Sequence, residues 1–170
     1  MLIVKIKSQH GFTLLELIIV CAIIALLAAI CIVRFVQLID RAREVVARAN
    51  LCALRAAITI YYGDTKGLWP PGLDNKKYIR GNETLPEFIP RYMKAIPPAT
   101  LRRKVPHNNS ASVEIVDTGP FNKITTEVSD KGGWIYSSTS GDIRINCTCK
   151  DSYHIDRINA LRYSNYGHEY

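Results

Sequence analysis

Glycine and proline are absent from residues 12–62, acidic residues are absent from the first ten, and charge is almost absent from Phe12 to Val33. The first absence removes the two residue types that most readily break helices. Nothing therefore interrupts a helix of about 51 residues, roughly 76 Å long at 1.5 Å per residue. The second leaves Lys5 and Lys7 as an unopposed positive N-terminus. The third leaves 22 residues in which Glu16 is the one charge and Thr13 the one other clearly polar residue. Catalytic spacings are missing as well. There is no Gly-rich phosphate loop, no HExxH, no G-x-S-x-G elbow and no paired-acid constellation, so the sequence offers no catalytic residue, no metal site and no cofactor motif. His107 and His154 stand isolated among polar residues and read as solvated side chains.

The chain has 170 residues, enough for one domain with a modest core. Its net charge of +7 comes from 22 Lys and Arg against 15 Asp and Glu. Removing Lys5 and Lys7 with a leader would leave 20 against 15, or +5. A basic surface attracts nucleic acid, anionic lipid or acidic polymers. No recognition motif or stacking platform accompanies the charge, so nucleic acid stays a secondary partner class beside a plain solvated face.

The run from Phe12 to Val33 would measure about 33 Å as a helix, enough to cross a hydrocarbon layer of roughly 30 Å. Lys5 and Lys7 keep the N-terminus in the cytoplasm by the positive-inside rule, and Arg34 closes the span on the far side. A secretory signal has a shorter apolar core of about 7 to 15 residues with cleavage after it; Ala28-Ala29 is a weak site of that kind. A carboxylate inside the bilayer costs about 2.5 to 3.5 kcal/mol on insertion scales, so Glu16 calls for a compensating partner.

The octapeptide Gly11-Phe12-Thr13-Leu14-Leu15-Glu16-Leu17-Ile18, with its short basic leader and following apolar helix, resembles the type III signal of type IV prepilins and pseudopilins. The resemblance implies an α+β, pilin-like fold in which a long N-terminal α-helix packs against a small antiparallel β-sheet head. It implies that a prepilin peptidase cuts between Gly11 and Phe12 and methylates Phe12. It further implies that Glu16 meets the N-terminal amine of an adjacent subunit, two charges that are each costly in lipid and neutralise one another when paired. The implied partners are like subunits in a homo-oligomeric filament, minor pilins, an inner-membrane assembly platform with its ATPase, and membrane lipid before assembly. The implied location is the bacterial inner membrane, crossed once with the head in the periplasm, and then a pilus or periplasmic filament. Many pilins carry a helix breaker in the apolar half; this sequence departs from that pattern.

Beyond Arg34 the pattern becomes helical, with Phe35, Leu38, Ile39, Ala42, Val45, Val46, Ala49, Cys52, Ala53, Ala56, Ala57 and Ile60 expected on one broad face. Gly63 is expected to end the helix after Tyr62. Residues 64–112 hold most of the prolines and read as an irregular loop with one helical turn around Leu85 to Tyr92. The pairs Tyr61-Tyr62 and Trp69-Pro70, and the run from Tyr92 to Pro97, resemble the helix-to-loop region of the major pseudopilin and related pilins. Segments Val113 to Val116, Ile124 to Val128, Trp134 to Ser137 and Ile143 to Cys147 predict three or four antiparallel strands, the last two as a hairpin. The organisation expected is a leader at 1–11, a membrane or filament-core helix at 12–33, its amphipathic half at 34–62, a loop and sheet head at 63–150 and a polar tail at 151–170.

Five cysteines divide into Cys21 and Cys31 inside the apolar run and Cys52, Cys147 and Cys149 outside it. In an oxidising compartment Cys52 could pair with Cys147 or Cys149. Asp117, Asp130, Asp142 and Asp151 lack a shared calcium-loop spacing and read as turn residues, although some major pseudopilins bind calcium. Asn82, Asn108 and Asn146 head glycosylation-type triplets. A structural filament subunit is the leading reading; a signal-anchored periplasmic binding domain that does not polymerise is the alternative.

Overall fold

The computed structural model of the chain describes residues 12–102, 109–117 and 128–149. The leader with Gly11, the segment 124–127 of one expected strand, His107, His154 and the tail 151–170 lie outside the described residues. The chain falls into two units that divide after Leu38. The helix α1, Leu14–Asp64, contributes to both.

In the first unit α1 is apolar on every side. The large hydrophobic side chains described there are exposed, from Val36 at 41% to Leu14 at 76%. The absence of glycine and proline explains its continuity, because no residue there breaks the i→i−4 ladder.

In the second unit the buried stripe of α1 is Glu44, Ala47, Leu51, Leu54, Ala57, Ile58 and Tyr61, at helical spacing. This corrects the expected face. Val45, Val46, Ala49, Cys52, Ala53, Ala56 and Ile60 are exposed, and Ala57 is the member of the expected set that is fully buried. Both faces are apolar, so periodicity cannot choose between them. The choice follows volume, since Leu51, Leu54, Ile58 and Tyr61 remove more area from water than the alanines do. The helix runs one residue past Gly63. It ends where Lys66 takes φ 56 and Gly67 φ 90, with Gly67 N–H donating to Tyr62 O at 2.9 Å, a 6→1 closure of the Schellman kind.

Two small sheets accompany the helix. Strands β1 (Tyr78–Arg80) and β2 (Glu83–Leu85) form an antiparallel hairpin inside the region expected to be irregular. The expected helical turn contracts to one bond, Tyr92 N–H to Phe88 O at 3.0 Å. The second sheet has the order β3-β4-β5, from Val113–Val116, Trp134–Ser137 and Ile143–Ile145. The β4-β5 hairpin is antiparallel as expected, but β3 pairs with β4 in parallel, Val113 opposite Trp134 and Val116 opposite Ser137. The sheet is therefore mixed. Strand signals report the pleat of one segment and carry no information on its direction relative to another.

The core joins Leu51, Leu54, Ile58 and Tyr61 to Phe88, Leu101, Trp134, Tyr136, Ile143 and Ile145. Its aromatic residues also fasten the proline-rich loop. Tyr136 OH donates to Pro70 O at 2.8 Å, Tyr61 OH to Pro86 O at 3.2 Å and Trp134 Nε1 to Pro97 O at 2.8 Å. Asn50 Nδ2 adds a bond to Pro98 O at 3.1 Å. Buried hydroxyl and indole groups need acceptors, and proline-rich segments leave carbonyls outside any ladder, so each satisfies the other.

Candidate assembly site

Phe12 stands at the head of the described chain and is 75% exposed. Thr13 and Glu16 form a reciprocal cap. Glu16 N–H donates to Thr13 Oγ1 at 3.2 Å, and Glu16 Oε2 accepts from Thr13 N and Thr13 Oγ1, each at 3.0 Å. This is the capping box of an S/T-x-x-E sequence, which satisfies donors that the first turn otherwise leaves orphaned. The T-x-x-E spacing of Thr13 and Glu16 is the sequence signal of this cap. Glu16 is thus a helix-start residue as well as the single charge in the apolar run. Of the two carboxylate oxygens, Oε2 is the one that Thr13 engages.

Among the described residues one helix is long and apolar enough to cross a membrane, by length and composition; its most apolar window has a mean hydropathy of 3.1. Cys21 and Cys31 are exposed on it as free thiols.

The remaining predicted residues sort by burial. Cys52 is exposed on α1, Cys147 is buried and Cys149 half-buried, all three as free thiols. The link from Cys52 to Cys147 or Cys149 is not formed, because Cys52 occupies the helix face left outside the core while Cys147 lies within it. The aspartates serve turns. Asp117 accepts from Ser138 and Thr139 at 2.9 and 3.2 Å, Asp130 from Thr148, and Asp142 from Ser140 Oγ at 3.1 Å. Asn146 is buried, and its Nδ2 donates to Glu114 Oε2 and Ser129 Oγ, both at 2.9 Å, so that amide is not open to glycosylation. Hydrogen bonds from Ser129 and Asn146 hold the Glu114 carboxyl below the usual carboxylate range.

A long N-terminal helix followed in the chain by small sheets defines an α+β, pilin-like fold. Residues 6–32 match the family described as the prokaryotic N-terminal methylation motif. The chain is 45% identical over 58 residues to the type IV narrow pilus major component PilA5 of Thermus thermophilus, covering 34% of this chain and 50% of that protein. It is 42% identical over 64 residues to the fimbrial protein EcpC of Eikenella corrodens, covering 38% of this chain and 41% of that one. The match thus spans half or less of the length of these curated relatives. No solved structure matches the chain. Motif and relatives make the N-terminal part of the chain similar to the corresponding part of type IV pilins.

Proposed function

We propose that this chain is a structural subunit of a type IV pilus or pilus-like filament, cut between Gly11 and Phe12, methylated on Phe12 and assembled through its N-terminal helix. The observation that carries this reading is an exposed apolar surface on residues 12–32, interrupted near its start by one capped carboxylate. In water such a surface is unfavourable by about 25 cal/mol per Å². It is at ease in a bilayer, and equally so in a bundle of identical helices held by packing and by a paired charge. Cleavage creates a cation at Phe12 that did not exist before, so the Glu16 partner appears with processing. The exposed stripe Ala42, Val45, Val46, Ala49, Ala53, Ala56 and Ile60 extends the contact surface along the second half of α1.

In this reading the chain first spans the inner membrane once, with its head in the periplasm. A prepilin peptidase then processes it, and an assembly platform inserts it beside like subunits and minor pilins. The test is the mass of the N-terminal peptide recovered from cells with the native machinery. A peptide beginning at methylated Phe12 supports the proposal; an intact Met1 terminus in the mature pool overturns it in favour of a signal-anchored domain. Glu16→Ala is expected to leave membrane insertion intact and to cut filament yield by roughly tenfold or more, since an ion left unpaired in a low-dielectric interior costs about 3 to 5 kcal/mol. Unchanged yield would remove Glu16 from the mechanism.

A further inference from the structure

Cys147 and Cys149 take no part in the proposed assembly segment, and the local backbone treats them as a pair. Strand β5 ends at Ile145. Cys147 is fully buried in the core, and Cys149 packs half-buried against the same cluster. The residue between them is clamped, with Thr148 N–H and Oγ1 donating to the two carboxylate oxygens of Asp130 at 2.6 and 2.7 Å. Cys147 N–H donates to Ile145 O at 3.0 Å, and Cys149 N–H donates to Cys147 Sγ at 3.2 Å. The chain therefore folds back around the Cys147 side chain. Residues at i and i+2 of an extended segment share a face, and here the bend seats the Cys149 amide on the Cys147 sulfur. A disulfide requires two cysteines held close together, and this turn holds Cys147 and Cys149 against one cluster within three residues, whereas Cys52 lies on an exposed helix face.

We propose that Cys147 and Cys149 are a dithiol that closes into a Cys-Thr-Cys disulfide when the head meets an oxidising disulfide. Cys149, the more accessible sulfur, attacks as its thiolate, breaking the incoming S–S bond, forming a mixed disulfide and releasing one thiolate. Cys147 then passes its proton to the thiolate released in the first step, and its sulfur attacks Cys149 Sγ. The Cys147–Cys149 bond forms and the second thiolate leaves. The protein gives up two electrons and two protons, and the oxidant becomes two thiols. Burial raises the Cys147 pKa, so Cys147 does not make the first attack and acts in the second, intramolecular step, where proximity replaces concentration. The closed bridge fixes the chain where it leaves β5. Exposure to such an oxidant in the cell rests on the periplasmic reading of the head; the chemistry does not.

The full-length chain, reduced in detergent and then treated with oxidised glutathione, tests this. After alkylation and trypsin digestion, cleavage following Arg144 and Lys150 isolates Ile145–Lys150 with both cysteines and no other, while Cys52 falls in Ala49–Arg55. The expected result is an Ile145–Lys150 fragment lacking two hydrogens and carrying no alkyl group. Cys147→Ser should turn Cys149 into a persistent glutathione adduct, and Cys149→Ser should leave Cys147 unmodified in the folded chain. Double alkylation, a lasting glutathione adduct on the unsubstituted chain, or a cross-link to Ala49–Arg55 would each overturn the proposal. Each outcome is independent of the N-terminal mass that tests filament processing.

Discussion

Replacing Gly141 by alanine should be among the most damaging single-methyl changes in the head. Gly141 sits at φ 75 in the turn between β4 and β5, where its N–H donates to Ser137 O at 2.9 Å. A Cβ there would run into Cε3, Cδ2 and Cζ3 of Trp69. Trp69 has little freedom to retreat, because its ring stacks on Tyr62 with centroids 4.0 Å apart and planes at 29°. The left-handed backbone costs an L-residue about 1 to 2 kcal/mol, and overpacking adds about 1 to 3, for a total of about 2 to 5 kcal/mol. Gly81 separates these contributions, since it has φ 65 but no atom within 4 Å of a built Cβ. Gly81→Ala should therefore cost the backbone part alone, about 1 to 2 kcal/mol. Urea unfolding of the full-length chain in mild detergent, followed by tryptophan fluorescence, reads both, because Trp69 reports the clash and Trp134 the core. With a slope of about 1 to 3 kcal/mol per molar, Gly141→Ala should lower the midpoint by about 1 to 2 M. Equal midpoints for the two variants would refute the packing of Trp69 against this turn.

Two further expectations concern the tyrosines. Tyr136→Phe deletes a buried hydroxyl bonded to Pro70 O and leaves that carbonyl without its donor, so the urea midpoint should fall by the equivalent of about 1 to 3 kcal/mol with the slope unchanged; no fall would mean the loop is not fastened there. Burial raises the Tyr61 pKa from 10.0 to about 12 and pushes Tyr136 up as well. The folded state then holds these protons more tightly than the unfolded chain. The Tyr61 contribution is complete below pH 10.0 and is lost as pH rises through about 12, and that of Tyr136 is lost at higher pH still. Melting temperature should decline across that window, and less steeply in Tyr61→Phe; a flat profile would contradict the burial.

The N-terminal half of the architecture was legible because it depends on local facts. The missing glycine and proline, the run of apolar residues and the octapeptide around Glu16 act through neighbours in sequence, and α1 begins and ends within two residues of the expected bounds. The buried side of the helix was not legible, since Ala49 and Ala53 are as apolar as Ala47 and Ala57 and only the head's shape distinguishes them. The parallel direction of β3 and the β1-β2 hairpin were hidden for related reasons. Strand direction is a non-local property, and Tyr78–Arg80 and Glu83–Leu85 have weak strand composition, three residues each between prolines at 71 and 86. At the site, Glu16 was read from its isolation, while its bond to Thr13 needed the capping pattern to be weighed against the family reading.

The two faces of α1 beyond Leu38 amount to two messages written on one rod. Glu44, Leu51, Leu54 and Tyr61 are constrained by the fold of a single copy, whereas Val45, Ala49, Ala53 and Ile60 are released from that constraint. Substitutions on the outer message can drift or be selected for reasons unrelated to whether the head folds. The same helix can therefore keep its internal architecture fixed while its dealings with the surroundings diverge.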